Sequence, residues 1–424
     1  MNLEVHRAQR LTGTIRPPSD KSLTHRAYIL AALAKTPSTV LEPLEAEDCQ
    51  RTLKIVLALG SNANEFPRQV TIEPSSLRLG PHELDCGNSG TTMRLMAGAL
   101  ASEDGLRAVM RGDESLSRRP MNRIVEPLRL MGAEIAGETP PLKIVGSRLR
   151  GIAYRSPVAS AQVKSCLLLA GLRADGETWV TEPSPSRDHT ERMLGALGVA
   201  VERADGAVGV VGGQTWDGFN FHVPADVSSA AFFLCAAAAV PGSSLVLTGV
   251  GVNHTRTGVL EALAQAGATV TLASVREAMG EPVADITVTG SDSLRPFEVS
   301  GALVPRLIDE IPVLAVLATQ CHGTTKIRDA KELRVKESDR IESVAANLAK
   351  MGAKVETFED GLHVTGPTPL RGAVVDATGD HRIGMAFAVA GLLAEGRTTV
   401  TNADSIRTSY PDFQAHLDQL TGIE

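Results

Sequence analysis

The hydrophobic positions of this chain recur in a fixed order: an Ala- or Leu-rich helix end, a short polar turn and a β-branched strand. The long apolar part is typical of a buried helix, and the Val, Ile and Thr that follow favour a strand. Six segments in chain order share this pattern and predict an internal repeat of roughly 70 residues. They are "AALAKTPSTV" (31–40), "AGALASEDGLRAV" (97–109), "AGLRADGETWV" (170–180), "AAAAVPGSSLV" (236–246), "AVLATQCHGTTKI" (315–327) and "AGLLAEGRTTV" (390–400).

A second pattern lies between these segments: an apolar helix that ends in Gly and is followed by a strand. "LRLMGAEI" (128–135) and "LAKMGAKV" (348–355) are two examples. Gly at that place fits a left-handed helix C-cap. Each copy of the repeat is therefore predicted to hold two helices and several strands, which is an α/β architecture.

The length of 424 residues predicts two domains, each long enough for its own core. Six units in two domains give three units in each. Pro-containing segments at 16–19 and 223–226 are the best candidates for crossings between the domains. They divide the chain into a globule of residues 19–225 and a globule of residues 1–18 plus 226–424. A chain that crosses twice predicts a two-strand hinge and a cleft between the globules.

Composition and charge exclude several classes of partner. Aromatic residues make up only 3% of the chain and the net charge is −7, which argues against nucleic acid and against a membrane surface. The longest apolar run, 230–240, is too short to span a bilayer. The N-terminus has no secretory signal, and the five scattered cysteines indicate reduced thiols in a cytoplasmic protein. No cluster of side chains has metal-ligand spacing, so no metal is expected.

Cations and hydroxyls crowd the start of the first helix, in "PPSDKSLTHRAYIL". A helix start favours acidic residues because its dipole is positive there. Lys21, Ser22 and Arg26 therefore indicate an anion site, at which backbone N–H groups, a hydroxyl and two cations converge. The alternative is an ordinary surface helix with Ser19 or Asp20 as its N-cap.

Similar polar residues recur in several further segments, most of them at a predicted helix start and one, "SRRP", in an extended loop before a proline. The segments are "GNSGTTMR" (87–94), "SRRP" (117–120), "SAQVKS" (160–165), "RDHTERML" (187–194), "ELRVKESDR" (332–340) and "GDHRIG" (379–384). The alternative for 332–340 is an ordinary salt-bridged helix on which Lys336 and Arg340 are i,i+4 neighbours. If these helix starts meet in one cleft, the site suits two small polyanionic ligands.

Together these segments resemble the signature blocks of one enzyme family. "SDKSLTHRA", "GNSGTTMR", "SRRP", "SAQVKS", "RVKESDR" and "DHRIGMA" are similar, in order, to blocks of the 5-enolpyruvylshikimate-3-phosphate synthase family, the 3-phosphoshikimate 1-carboxyvinyltransferases. "RDHTE", "SAQVK" and "NHTR" further resemble its class II, largely bacterial branch. The resemblance implies two similar α/β globules, each of three repeated βαβαββ-type units with parallel helices, that close over the substrates.

The resemblance also implies a reaction. The enolpyruvyl group of phosphoenolpyruvate (PEP) moves to the 5-hydroxyl of shikimate 3-phosphate (phosphoshikimate), and inorganic phosphate leaves. These two small molecules are the expected partners of a monomer that needs no cofactor. In this family the herbicide glyphosate competes with PEP, and Gly90 is expected to leave room for it.

The resemblance assigns roles residue by residue. Lys21, Asp309 and Glu337 are expected to act in catalysis. The residues expected to contact phosphoshikimate are Lys21, Ser22, Arg26, Ser160, Ala161, Gln162, Arg187, Asp309 and Lys336, and those expected to contact PEP are Lys21, Gly90, Arg119, Gln162, Arg340 and Arg382.

Two alternatives to this function remain at the level of sequence. The related UDP-N-acetylglucosamine enolpyruvyl transferases usually carry a cysteine in the loop that contacts PEP, and "GDESLSRRP" (112–120) has none. A non-catalytic anion-binding scaffold would have no use for the carboxylates of Asp309 and Glu337.

Overall fold

The structure is a computed structural model that describes residues 1–422. Its contacts divide the chain into two compact units. Unit 1 consists of Met1–Pro18, Ala225–Arg276 and Pro282–Glu424, and unit 2 of Ser19–Pro224 and Glu277–Glu281. Each unit has a hydrophobic core of its own.

Helices and short strands alternate along the described part of the chain, so the predicted α/β class is confirmed. The strands are β1 Leu3–His6, β2 Thr12–Ile15, β3 Ser38–Leu41, β4 Asn62–Phe66, β5 Gln69–Glu73, β6 His82–Asp85, β7 Arg107–Arg111, β8 Glu134–Ala136, β9 Leu142–Val145, β10 Ala153–Arg155, β11 Glu177–Thr181, β12 Val201–Ala204, β13 Ala207–Val211, β14 Asn220–His222, β15 Ser244–Gly251, β16 Thr269–Ala278, β17 Glu281–Thr289, β18 Glu298–Val299, β19 Gly323–Ile327, β20 Lys354–Phe358, β21 Gly361–Gly366, β22 Val374–Asp376 and β23 Arg397–Thr401. The α-helices are α1 Lys21–Leu33, α2 Glu47–Ala58, α3 Gly90–Ala101, α4 Asn122–Met131, α5 Ala161–Gly171, α6 His189–Ala196, α7 Val227–Ala239, α8 Gly258–Gln265, α9 Val304–Leu307, α10 Ile311–Ala318, α11 Arg340–Lys350, α12 His381–Leu393 and α13 Phe413–Thr421.

Within residues 1–422 the strands form six sheets, five with four strands and one with three. The sheet β6-β7-β9-β8 shows the repeated unit: β6 and β7 are parallel and joined through α3, whereas β9 pairs antiparallel with both β7 and β8. In chain order this unit reads β6-α3-β7-α4-β8-β9, which is the βαβαββ arrangement. The unit β10-α5-β11-α6-β12-β13 repeats it.

Strands from distant parts of the chain complete three of the sheets. In unit 2, β14 pairs parallel to β3, so the last strand of Ser19–Pro224 joins the sheet that contains the first strand of that segment. In unit 1, β2 pairs parallel to β15 and β1 pairs antiparallel to β23. The residues that end the six predicted segments all lie in strands of six different sheets, which confirms the repeat; they are Val40, Val109, Val180, Val246, Ile327 and Val400.

The glycines predicted to end helices adopt the required backbone. Gly132 is the C-cap of α4 with φ +106°, in the left-handed region that favours glycine. Gly352 follows α11 with φ +89° and serves the same purpose. These caps stop each helix before the strand that follows it.

The central helices are apolar on all sides because they are enclosed on all sides. Every residue of α7 is buried, and so is every residue of α10. Helix α7 packs on α10 and α12 in unit 1, and α3 packs on α5 in unit 2. No helix among the described residues is long and apolar enough to cross a membrane. The polar ends of these enclosed helices carry the candidate functional residues.

Candidate active site

The first helix of unit 2 begins at Lys21, and Asp20 is its N-cap. The Asp20 carboxylate accepts a hydrogen bond from the backbone N–H of Leu23 at 2.9 Å, which settles the choice between Ser19 and Asp20. The cap leaves Lys21 and Ser22, both half-buried, on the first turn. The ammonium of Lys21 lies 3.0 Å from a carboxylate oxygen of Asp48.

Arg26 lies one turn further along α1 and is only 4% exposed. Its guanidinium donates to the backbone oxygen of Ser22 at 2.9 Å, to Thr190 Oγ1 at 2.7 Å and to Ser165 Oγ at 2.8 Å. Burial lowers the pKa of Arg26 to about 10, and the carboxylate of Glu191 acts against that shift. The side chain therefore stays charged at neutral pH and is held in one orientation.

The helix starts of α3 and α5 meet through Gln162. Ser160 is the N-cap of α5, and Ala161 and Gln162 form its first turn. Gln162 accepts a hydrogen bond from Arg94 and donates one to Thr91 Oγ1 at 3.0 Å. The structure therefore brings the "SAQ" and "GNSGTTMR" segments together.

Gly90 opens α3 directly after its N-cap, Ser89. A Cβ atom at Gly90 would lie 2.8 Å from Nη1 of Arg94 and 3.6 Å from Nη1 of Arg119. Arg119 also donates to Asn88 Oδ1 at 2.5 Å. Two guanidiniums thus flank a turn with no side chain at Gly90, and this arrangement suits the close approach of an anion.

Arg187 lies in the segment just before α6 and is half-buried. The same part of unit 2 contains a buried group of charges that the sequence analysis missed. The ammonium of Lys164 lies 2.9 Å from a carboxylate oxygen of Glu182 and 2.9 Å from one of Glu191. Helical spacing cannot reveal this group, because Glu182 stands in an irregular segment.

In unit 1, carboxylates surround the guanidinium of Arg340. It donates to Asp380 from Nε at 2.7 Å and from Nη2 at 3.3 Å. Nη2 also donates to Glu337 at 2.7 Å, and Nη1 donates to Asp309 at 3.2 Å. The side chain of Arg340 is 2% exposed and that of Glu337 is 31% exposed, so the cluster reaches solvent on the side of Glu337.

The charges of this cluster shift each other's pKa values. Burial alone would lower the pKa of Arg340, but Asp380, and then Glu337 and Asp309, raise it above its ordinary value. Burial also opposes ionisation of Asp380, but Arg340 lowers the pKa of that carboxyl below its ordinary value of 3.8. Arg340 and Asp380 are therefore both charged at neutral pH.

Arg382 and Lys336 extend the cluster around Asp309. Arg382 donates to the backbone oxygen of Asp309 at 3.3 Å, and its Nη1 lies 3.6 Å from a carboxylate oxygen of Glu310. The Lys336 ammonium lies 3.9 Å from Asp309 Oδ1. Unit 1 thus brings together all five of its predicted site residues: Asp309, Lys336, Glu337, Arg340 and Arg382.

The alternative of a continuous salt-bridged helix over 332–340 is wrong. Helix α11 begins at Arg340, because Asp339 caps it by accepting from the backbone N–H of Glu342 at 3.0 Å. Lys336 follows a short 3-10 helix, Lys331–Val335, in extended backbone with φ −78° and ψ −151°. Lys336 and Arg340 are therefore not neighbours on one helix face, and the turn between them directs Glu337 to Arg340.

No group of three or more His, Cys, Asp or Glu side chains within residues 1–422 could hold a metal ion. The cysteines are buried, and none of them forms a disulfide. The chemistry available in the two units is that of cations, carboxylates, hydroxyls and backbone N–H groups.

Comparison with known proteins identifies the family of this chain. The sequence profile described as "EPSP synthase (3-phosphoshikimate 1-carboxyvinyltransferase)" matches residues 5–417. The chain belongs to the EPSP synthase family. The 3-phosphoshikimate 1-carboxyvinyltransferase of Brevibacillus brevis is 50% identical over 418 residues, which cover 97% of this chain and 98% of that protein. The protein of the same name from an Anaeromyxobacter species (strain K) is 49% identical, over 99% of this chain and 96% of its own.

Solved structures of the EPSP synthase family share the fold. An EPSP synthase from Acinetobacter baumannii, solved at 2.37 Å, aligns with a TM-score of 0.90 and 42% identity, and the match covers 99% of this chain and 98% of that one. The family resemblance stated from the sequence motifs is therefore confirmed, and the related UDP-N-acetylglucosamine transferases are not favoured.

Proposed function

We propose that this chain transfers the enolpyruvyl group of PEP to the 5-hydroxyl of shikimate 3-phosphate, with release of inorganic phosphate. The reaction belongs to the shikimate pathway, which leads to chorismate and the aromatic amino acids. Membership of the EPSP synthase family along nearly the whole chain supports this activity.

One structural observation carries the proposal: in unit 1, two arginines lie among carboxylates, two of which, Asp309 and Glu337, belong to the predicted catalytic set. Arg340 contacts Glu337 and Asp309 directly, and Arg382 contacts Asp309. PEP carries a phosphate and a carboxylate, the two groups that guanidiniums recognise best. The carboxylates beside them supply groups that can accept and donate protons. A scaffold that only bound anions would be weakened by those two negative charges.

We assign the substrate contacts to the residues that the family motifs indicate. In our proposal cations, hydroxyls, an amide and a carboxylate hold phosphoshikimate, and cations, an amide and the turn at Gly90 hold PEP. The phosphoshikimate set is Lys21, Ser22, Arg26, Ser160, Ala161, Gln162, Arg187, Asp309 and Lys336, and the PEP set is Lys21, Gly90, Arg119, Gln162, Arg340 and Arg382.

The proposed reaction proceeds in two steps whose protons balance. First, C3 of PEP gains a proton while the 5-oxygen of phosphoshikimate bonds to C2 and loses its own proton. Then the bond from C2 to the phosphate oxygen breaks, and a proton leaves the new methyl group. We propose that Lys21, Asp309 and Glu337 carry these protons, and that nearby carboxylates stabilise the positive charge that develops at C2.

We further propose that the enzyme acts as a monomer in the cytoplasm. The cysteines are buried and none is in a disulfide, which fits a reducing compartment. Both substrates are small molecules, and the proposed reaction uses no cofactor.

The test is phosphate release from PEP in the presence of each candidate acceptor. We expect release with shikimate 3-phosphate and none with UDP-N-acetylglucosamine or with PEP alone. Release with the nucleotide sugar would assign the chain to the related transferases. Binding of PEP and phosphoshikimate without release would favour the scaffold.

A further inference from the structure

Glu182 belongs to none of the sequence motifs, yet its carboxylate joins two segments that carry proposed phosphoshikimate contacts. Oε1 accepts from the backbone N–H of Ser160 at 2.7 Å. The hydroxyl of Ser186 donates to both carboxylate oxygens at 2.8 Å. Ser160 caps α5, whose first turn holds Gln162, and Ser186 directly precedes Arg187. One side chain therefore fixes the spacing between the α5 start and the segment before α6.

The carboxylate of Glu182 is also one of several buried charges. Its side chain is 6% exposed and lies 2.9 Å from the ammonium of Lys164, which is 4% exposed. Burial alone would lower the pKa of Lys164, but Glu191 and Glu182 raise it, so the lysine is charged. Glu191 also offsets the effect of burial on Arg26. Two buried cations are thus balanced by two carboxylates, and one of those cations is a proposed substrate contact.

A buried carboxylate is costly unless it is paired and hydrogen-bonded, and Glu182 meets both conditions. The carboxylate accepts from the Ser160 N–H and from the Ser186 hydroxyl, so these two groups bind Glu182 and not the ligand. The proposed phosphoshikimate contacts on the two segments are Ser160, Ala161, Gln162 and Arg187. Their relative placement depends on the carboxylate that joins the Ser160 backbone N–H to the Ser186 hydroxyl.

We propose that Glu182 is a positioning residue for phosphoshikimate. It aligns the Ser160–Gln162 turn with Arg187, so that the groups of both segments meet the substrate without reorganisation. The inference rests on the proposed function. Glu182 is not placed at the reacting atoms, so its loss acts on phosphoshikimate binding and leaves the chemical steps intact.

The test compares Glu182→Gln with Glu182→Asp and with a control in the same unit. Gln keeps the shape of the side chain, but its amide removes the charge opposite Lys164 and one of the acceptors for Ser186. The control is Glu103→Gln: Glu103 pairs with Arg173 beyond the C-terminal end of α3, the opposite end from Gly90. Steady-state kinetics gives kcat and both KM values, and calorimetry gives the Kd of phosphoshikimate alone.

We expect Glu182→Gln to raise the KM and Kd of phosphoshikimate about tenfold, equivalent to the loss of one charge-assisted hydrogen bond. The kcat should stay within about twofold, and the KM of PEP should rise less than that of phosphoshikimate, since Gln162 alone of the proposed PEP contacts lies on these two segments. Glu182→Asp keeps the charge and should recover part of the affinity. Glu103→Gln should change none of the constants.

Three results would overturn the inference. One is an unchanged phosphoshikimate Kd in Glu182→Gln, whatever happens to its melting temperature. Another is a parallel loss of affinity for both substrates with a fall in kcat. The third applies if Glu182→Gln does not fold: the test then uses Glu182→Asp, and a wild-type Kd for phosphoshikimate in that variant counts against a positioning role. Wild-type turnover with phosphoshikimate is measured in the same assay, so failure of the proposed function is seen separately.

Discussion

Replacing Asp380 by asparagine removes the negative charge that is most deeply buried against Arg340. The Asp380 side chain is fully buried, and it accepts from Arg340 Nε at 2.7 Å, from the backbone N–H of Arg382 at 2.9 Å and from Ser338 at 3.2 Å. It is the N-cap of α12 as well. The substitution therefore separates two functions of one residue, because asparagine caps a helix as well as aspartate does but cannot neutralise a guanidinium.

The loss of unfolding free energy in Asp380→Asn depends on the ion pairs that Arg340 keeps. Breaking a buried ion pair by removing one partner costs about 3–5 kcal/mol. Arg340 keeps Glu337 at 2.7 Å and Asp309 at 3.2 Å, so the cost should lie near the lower end, at about 3 kcal/mol. Asp380→Ala loses the cap in addition and should cost about 1 kcal/mol more.

Urea unfolding at neutral pH measures how far Asp380→Asn and Asp380→Ala each lower the free energy of unfolding below that of the wild type. Glu298→Gln is the control. Glu298 pairs with Arg328 at 3.2 Å in the same unit, but both side chains are about half exposed, at 53% and 47%. A pair of that kind is worth less than about 1 kcal/mol. If Asp380→Asn destabilises the protein no more than Glu298→Gln does, the buried ion pair does not stabilise unit 1 and the reasoning is refuted. Equal values for Asp380→Asn and Asp380→Ala would refute the capping role.

Four further outcomes are expected. Because the folded pKa of Asp380 is lowered, its contribution to stability is present above an unfolded pKa of about 4 and is lost as the pH falls through the folded value; the stability gap between wild type and Asp380→Asn in urea should narrow in acid, and a constant gap would contradict this. Glu337→Gln should lower kcat by at least about a hundredfold with little change in either KM, whereas near-normal turnover would leave Glu337 a mere partner of its arginine. Gly90→Ala should raise the Ki of glyphosate more than the KM of PEP, since the methyl group lies 2.8 Å from Nη1 of Arg94, and an unchanged Ki would remove Gly90 from the site. All five cysteines are buried, and burial raises the pKa of Cys166 to about 12, so a thiol reagent should leave the native protein unmodified and label all five after denaturation; labelling of the native protein would contradict the buried placement.

The repeat and the helix starts could be predicted from the sequence because both depend on local chemistry. Strands and glycine caps recur at a constant spacing, and Asp20 and Asp380 have the side chain that an N-cap needs. The family motifs then indicated the residues that surround Arg340. Each of these signals lies within a few residues of the feature that it predicts.

The remaining contacts join residues that are far apart in the chain. Arg26 reaches Thr190, which is 164 positions away, and no periodicity links the two. Glu182 contacts Lys164 from an irregular segment. A continuous helix over 332–340 does not form, for a different reason. The cap at Asp339 and the contact of Glu337 with Arg340 outweigh the helical propensity of the preceding residues. Tertiary contacts decide such cases.

The central claim is enolpyruvyl transfer by addition and elimination at PEP, and a reaction run in D₂O tests it most directly. The protein is incubated with PEP and shikimate 3-phosphate, and the product is analysed by proton NMR and mass spectrometry. Since C3 becomes a methyl group before a proton leaves it, the account predicts an enol ether at the 5-oxygen that carries deuterium in its vinyl methylene, with one phosphate released for each product formed. An enol ether without deuterium would contradict the protonation of C3, and consumption of PEP without an enol ether would contradict the transfer itself.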